Sequence, residues 1–237
     1  TLDANINQAA AAFQAAGLTR GDRIALLGPT GIDAIVMLFA IVRAGGVATP
    51  LSGLLDATSL ATLLDDSGAR FFVAAKPFDH LARAAIAIAT RLPADGAIAL
   101  DFEDHGWRKL PTGEAPAPIL FSPTDPMNII YSSGTTGVPK GIVHSHLARV
   151  NSALGLGLEF RIHSASTAIL ATPIYTNGTW MTMLPTIAVG GTCHIMADYS
   201  AEGFLDAVET GGSHAFLVPT QIRGILDALE ARPRDLS

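Results

Sequence analysis

Short apolar runs of strand character alternate with segments of helical period along almost the whole chain, and this alternation narrows the possible folds more than any other feature. Residues 3–16 place Ile6, Ala10 and Phe13 at helical spacing and stop at Gly17. Residues 24–27 then read as a short buried strand, Gly28-Pro29-Thr30-Gly31 as a turn, and residues 32–44 as an apolar helix closed by Gly45 and Gly46. The same rhythm predicts strands over 47–49, 71–75 and 97–100 and helices over 57–67 and 78–91. Strands that are each followed by a full helix require right-handed crossovers and a parallel sheet covered on both faces. The expected fold class is α/β, with alternating strand–helix layers and mostly parallel sheets.

Residues 101–126 break the rhythm with Pro111, Pro116, Pro118, Pro123 and Pro126. A second series follows, with strands over 127–131, 141–144, 168–171, 192–196 and 215–218 and helices over 146–159, 178–189, 200–210 and 220–231. The chain is therefore expected to hold two subregions, about 1–110 and 125–237, joined by the Pro-rich stretch.

Composition excludes several classes of function. With 49 % hydrophobic residues the chain of 237 residues is no disordered tail, and 15 basic against 21 acidic side chains leave a net charge of −6. Such a chain lacks the basic footprint of a nucleic-acid binder. Its most apolar run, residues 34–42 between Asp33 and Arg43, is too short to span a bilayer, so no stable membrane insertion is expected. Cys193 is the single cysteine and has no partner for an internal disulfide. A reducing compartment, the cytoplasm, is expected, with Cys193 as a small buried hydrophobe.

One segment carries chemistry: Tyr131-Ser-Ser-Gly-Thr-Thr-Gly-Val-Pro-Lys-Gly141, between two predicted strands. Gly134, Gly137 and Gly141 let the backbone turn and bring N–H groups to an anion, while Ser132, Ser133, Thr135 and Thr136 add hydroxyl donors and Lys140 adds charge. Each hydrogen bond to a phosphate oxygen contributes roughly 1.5 to 3 kcal/mol, enough together to hold a triphosphate. A Walker A loop is disfavoured, because no Gly-Lys-Ser/Thr string opens a helix and the residues after Lys140 are β-like.

Tyr131 to Gly141, with Ile142-Val-His-Ser-His146 after it, closely resembles the signature loop of the adenylate-forming superfamily, which includes acyl-CoA synthetases, luciferase-like enzymes and peptide-synthetase adenylation domains. Gly21-Asp-Arg-Ile-Ala and Gly45-Gly-Val-Ala-Thr-Pro50 resemble further segments of the same superfamily. The resemblance implies the front part of the large N-terminal domain and a two-step reaction. A carboxylic acid, fatty or aromatic, attacks the α-phosphate of ATP, and a CoA thiol then captures the acyl-AMP. The cofactors implied are ATP, Mg2+ and CoA. Ser132, Ser133, Gly134, Thr135, Thr136, Gly137 and Lys140 would hold the β- and γ-phosphates, with Lys140 and Thr136 as the catalytic pair of the loop. An adenylation domain loading a carrier protein, and a non-enzymatic nucleotide- or acyl-binding module, are the alternatives. The superfamily's small C-terminal domain lies beyond this chain, so the 237 residues alone are expected to be incomplete for catalysis.

Thr172-Pro-Ile-Tyr-Thr-Asn-Gly-Thr-Trp180 is similar to the superfamily segment that borders the acyl and AMP pockets, with Thr176 where many members carry His. Tyr175, Thr176, Asn177 and Trp180 are the candidate substrate pocket. Tyr175 and Trp180 equally suit a core corner between strand and helix. His144 and His146 share one face of a strand by spacing, but no third ligand lies near in sequence, and no metal site is expected. Asp65 and Asp66 read as solvated charge.

Overall fold

The computed structural model describes residues 1–93, 96–100, 115–132 and 139–235. The chain divides into two compact units, residues 1–147 and 148–237.

The first unit runs α1 (Leu2–Ala15), β1 (Arg23–Leu27), α2 (Ile32–Arg43), β2 (Val47–Leu51), α3 (Ala57–Ser67), β3 (Phe71–Ala75), a 3-10 turn at Lys76–Phe78, α4 (Asp79–Ile88), β4 (Ala97–Leu100), β5 (Pro126–Ser132) and β6 (Lys140–Ser145). Its sheet has the order β4-β3-β1-β2-β5-β6. Every pairing is parallel except the β5–β6 hairpin. Ile24, Ala25, Leu26 and Leu27 of β1 are all at most 1 % exposed, as a central strand with helices on both faces requires. Leu60, Leu64 and Phe72 fill one side of this core. Helix α3 is delimited by its own chemistry. Asp56 caps it by accepting from the Ser59 N–H at 2.7 Å, and Gly68 ends it in the left-handed region at φ 61°.

The division at the Pro-rich stretch does not match these units. Strand β5 returns to the first sheet, pairing with β2 through Ala48 and Asn128, so the unit continues to residue 147. Gln14 of α1 anchors the described end of the Pro-rich stretch by a reciprocal amide pair. Its Nε2 donates to the Ala117 carbonyl at 3.0 Å, and its Oε1 accepts from the Ala117 N–H at 2.8 Å. Sequence spacing alone could not show a contact between residues so far apart in the chain.

The second unit opens within α5 (His146–Glu159) and continues with β7 (Thr167–Leu170), α6 (Asn177–Ala188), β8 (Thr192–Ile195), α7 (Ala201–Glu209), β9 (His214–Ala215) and α8 (Pro219–Ala231). Its sheet is parallel throughout, in the order β8-β7-β9. Ile169 and Leu205, each 1 % exposed, centre its core. The first crossover leaves β7 for one side and the next returns to the other, so the winding direction reverses at β7. Strand β9 is two residues long, against the expected 215–218, because Val218 already caps α8. The Val218 N–H donates to Gln221 Oε1 at 3.0 Å. No described helix is long and apolar enough to cross a membrane.

Candidate functional site

In the first unit, the Gly/Ser/Thr segment connects the two strands of an antiparallel hairpin, with Ser132 opposite Lys140. Ser132 ends β5 half-buried, and Lys140 begins β6 exposed at the sheet edge. Ser133, Gly134, Thr135, Thr136 and Gly137 lie outside the described residues. Gly141 corrects the reading that all three glycines serve the turn. It lies inside β6 opposite Tyr131, and a Cβ there would come within 3.2 Å of the Tyr131 ring and of Ile129 Cγ2. Its missing side chain makes room for the ring. Tyr131 packs against the Leu60–Phe72 side of the core, and its hydroxyl donates to Asp66 Oδ2 at 2.6 Å. Burial first, and the Asp66 carboxylate second, push the phenol above its ordinary pKa of 10.0.

The two aspartates treated as solvated charge each hold a neighbour. Asp66 receives Tyr131. Asp65 accepts from the Thr90 N–H, the Thr90 hydroxyl and the Arg91 N–H at 2.8 to 3.0 Å, tying the end of α4 to α3. The shared strand face of His144 and His146 is also overturned, since β6 ends at Ser145 and His146 opens a helix. The His146 imidazole stacks on Phe121 at a 4.3 Å centroid distance, and burial lowers its pKa against the pull of Asp125. Among the described residues no three His, Cys, Asp or Glu side chains converge as a metal site.

In the second unit, the candidate pocket residues occupy the turn from the C-terminal end of β7 into α6. The turn is held by inward hydrogen bonds. Thr179, 1 % exposed, shares a 2.8 Å hydroxyl contact with Thr172 and lies 2.8 Å from both the Thr172 and Pro173 carbonyls. The Thr176 hydroxyl donates to the Pro173 carbonyl at 2.8 Å. Trp180 donates its indole N–H to the Ile174 carbonyl at 2.8 Å, and at 1 % exposure it supports the corner from beneath rather than offering a face. Tyr175 is half-buried and Asn177 exposed. Gly178 admits Phe216, which follows β9, since a Cβ there would lie 2.1 Å from the Phe216 ring. Gln221 of α8 donates to the Ala171 carbonyl at 2.7 Å, so the ends of β7 and β9 meet at this turn.

Sequence reading did not single out Arg149, on α5. It is 4 % exposed, its guanidinium lies 4.3 Å from the centre of the Trp180 ring, and Nη1 donates to Asn177 Oδ1 at 2.9 Å. Burial lowers its pKa to about 10. A lone arginine in a helix normally marks the solvent face, so its position carried no signal.

The comparisons with known proteins agree with this architecture. The family model described as AMP-binding enzyme matches residues 1–237, and the chain belongs to that family. It is 31 % identical over 238 residues to a feruloyl-CoA synthase of an Amycolatopsis species, covering 100 % of this chain and 46 % of that one. It is 29 % identical to the fatty acid–[acyl-carrier-protein] ligase ScoC of Streptomyces coeruleorubidus, covering 93 % of this chain and 43 % of the relative. The ATP-bound structure of MatB from Rhodopseudomonas palustris superimposes with a TM-score of 0.77 at 26 % identity, over 89 % of this chain and 42 % of that one. The chain thus spans just under half the length of the curated relatives it matches. The α/β class with mostly parallel sheets, expected from the alternation, is the class observed.

Proposed function

We propose that the full-length protein carrying this chain activates a carboxylic acid, fatty or aromatic, in two steps. An oxygen of the acid attacks the α-phosphorus of ATP, the bond to the bridging oxygen breaks, and pyrophosphate leaves. The thiol sulfur of CoA then attacks the acyl carbon, and AMP leaves as the thioester forms. The observation that supports this reading is the hairpin connection from Ser132 to Lys140, rich in glycine and hydroxyls, in a chain matched along its length by the AMP-binding enzyme family.

In this reading Ser132, Ser133, Gly134, Thr135, Thr136, Gly137 and Lys140 stabilise the leaving pyrophosphate as its charge develops, Lys140 by its charge and the others by hydrogen bonds. A cation about 4 Å from a phosphate charge contributes about 4 kcal/mol at an effective dielectric near 20. Magnesium would accompany the nucleotide phosphates, but the described residues supply no ligand cluster for it. Tyr175, Thr176 and Asn177 border the acid. A carrier-protein thiol in place of CoA is a second reading, favoured by the likeness to a fatty acid–[acyl-carrier-protein] ligase.

Acid-dependent ATP–pyrophosphate exchange by the full-length protein, over fatty, aromatic and amino acids, tests the proposal. Exchange with one acid class is expected, reduced roughly 100-fold or more in Lys140→Ala. ATP binding without exchange for any acid would overturn it in favour of a binding module. Thioester formation with CoA or with a carrier protein separates the two thiols.

A further inference from the structure

We propose that His146, held neutral, latches the root of the hairpin that carries the Ser132–Lys140 connection, and that protonation releases the latch; its effect on nucleotide binding rests on the acid-activating reading above. The hairpin has little else to hold it in place. Strand β6 is an edge strand with β5 as its single partner among the described residues, and it is exposed from Lys140 to Val143. The ladder is also interrupted at the root, where the register shifts between Pro126 and Asn128.

The segment just ahead of β5 closes the root. The His146 N–H donates to the Asp125 carbonyl at 3.0 Å and the Leu147 N–H to the Pro123 carbonyl at 2.9 Å, so this segment satisfies two donors at the start of α5. The His146 ring lies on Phe121 of the same segment, with centroids 4.3 Å apart. A cleft of about 270 Å3 bordered by Arg20, Phe121, Asp125 and Pro126 leaves the segment less closely packed on that side. The contact with His146 therefore weighs more in holding it.

The surroundings of the ring suit an uncharged imidazole. Nε2 is buried and has no hydrogen-bond partner among the described residues. In the neutral ring that nitrogen can be the bare acceptor, whereas the imidazolium carries a proton on both nitrogens and leaves a buried N–H unpaired. The first position of a 14-residue helix also disfavours a positive charge. Asp125 pulls toward the charged form, but its Oδ2 already accepts from Arg20 Nε and from the Ser122 N–H, both at 2.9 Å. On the same strand and helix, His144 lies two residues back and Arg149 three residues on, the latter bound to Asn177 and stacked on Trp180. Burial outweighs the pull of Asp125 and keeps the folded pKa below 6.5. The latch is thus complete above the ordinary value and is lost as pH falls through the lower folded value. His146 is a positioning residue for the hairpin.

Hydrogen exchange of the full-length protein tests the latch without reference to activity. The His146 and Leu147 amides report the root directly. Their protection factors are expected to fall about threefold or more between about pH 7.5 and about pH 5.5, with the amides of β1 as the reference. In His146→Phe, which keeps a ring on Phe121 and cannot be charged, they should hold steady, and His146→Gln serves if the larger ring does not fit. In ATP titrations over the same range, Kd is expected to rise about threefold more in the native protein than in the uncharged variant. That comparison cancels the titration of ATP itself. Protection factors that stay constant in the native protein, or fall equally in the variant, overturn the latch. An equal change of Kd in both overturns its link to the nucleotide. Absence of pyrophosphate exchange with every acid overturns the acid-activating reading alone and leaves the latch standing.

Discussion

The Tyr131 hydroxyl donates a 2.6 Å hydrogen bond to the Asp66 carboxylate, so the strand that leads into the Gly/Ser/Thr connection is tied to the end of helix α3. Tyr131→Phe removes the bond and keeps the ring against the core. Asp66 is exposed and finds water instead, so a loss of only about 1 kcal/mol is expected, measured by denaturant unfolding. In the full-length protein the same variant should raise the KM for ATP more than that for the acid. An equal effect on both would mean that the tether does not act through the phosphate loop.

Thr179→Val keeps the shape of a fully buried side chain and deletes the hydroxyl that pairs with the Thr172 hydroxyl and carbonyl, while the Pro173 carbonyl keeps the Thr176 hydroxyl and N–H. Leaving the Thr172 groups short of that partner in the interior should cost about 1 to 3 kcal/mol. Differential scanning calorimetry would register this as a lowered Tm.

A methyl group at position 178 meets the Phe216 ring at 2.1 Å. Gly178→Ala should destabilise by about 1 to 3 kcal/mol through overpacking. Adding Phe216→Ala should make the alanine at 178 cost less than it does alone. Simple additivity in this double-mutant cycle would show that the ring is not the obstacle.

Acid stability carries a contribution from Asp65. Burial alone would raise its pKa, but the hydrogen bonds from Thr90 and Arg91 outweigh that and hold it below the ordinary 3.8. The folded protein thus favours the carboxylate. The stabilisation is complete above the ordinary value and is lost as pH falls through the lower folded value. Asp65→Asn should flatten the acid limb of a stability-versus-pH curve below pH 4, and an unaltered limb would contradict this assignment.

Cys193 is half-buried, and burial pushes its thiol up to about 11 from an ordinary 9.0. The thiolate fraction at pH 8 falls about 100-fold, and the greater nucleophilicity of a higher-pKa thiolate offsets part of this, so the native chain should react with a disulfide reagent about tenfold more slowly than the chain unfolded in guanidinium chloride. Comparable rates in the two states would place the sulfur at the surface.

Much of this molecule follows from local order along the chain. Helices α3 and α5 and strand β3 lie where periodicity and turn residues put them, because a strand buried on both faces and a helix with one apolar stripe leave distinct repeats in sequence. The Ser132–Lys140 connection was legible for the same reason, since glycines, hydroxyls and a lysine between two β-like runs need no distant partner to be recognised. What only the tertiary structure decided are relations between residues far apart in the chain. The return of β5 to β2, the Tyr131–Asp66 bond, the use of Asp65 as a clasp and the pairing of Arg149 with Asn177 and Trp180 all belong here. Spacing reports which face a side chain occupies, but not what lies opposite it. A buried arginine and a solvated one have the same neighbours in sequence, and only packing and desolvation distinguish them.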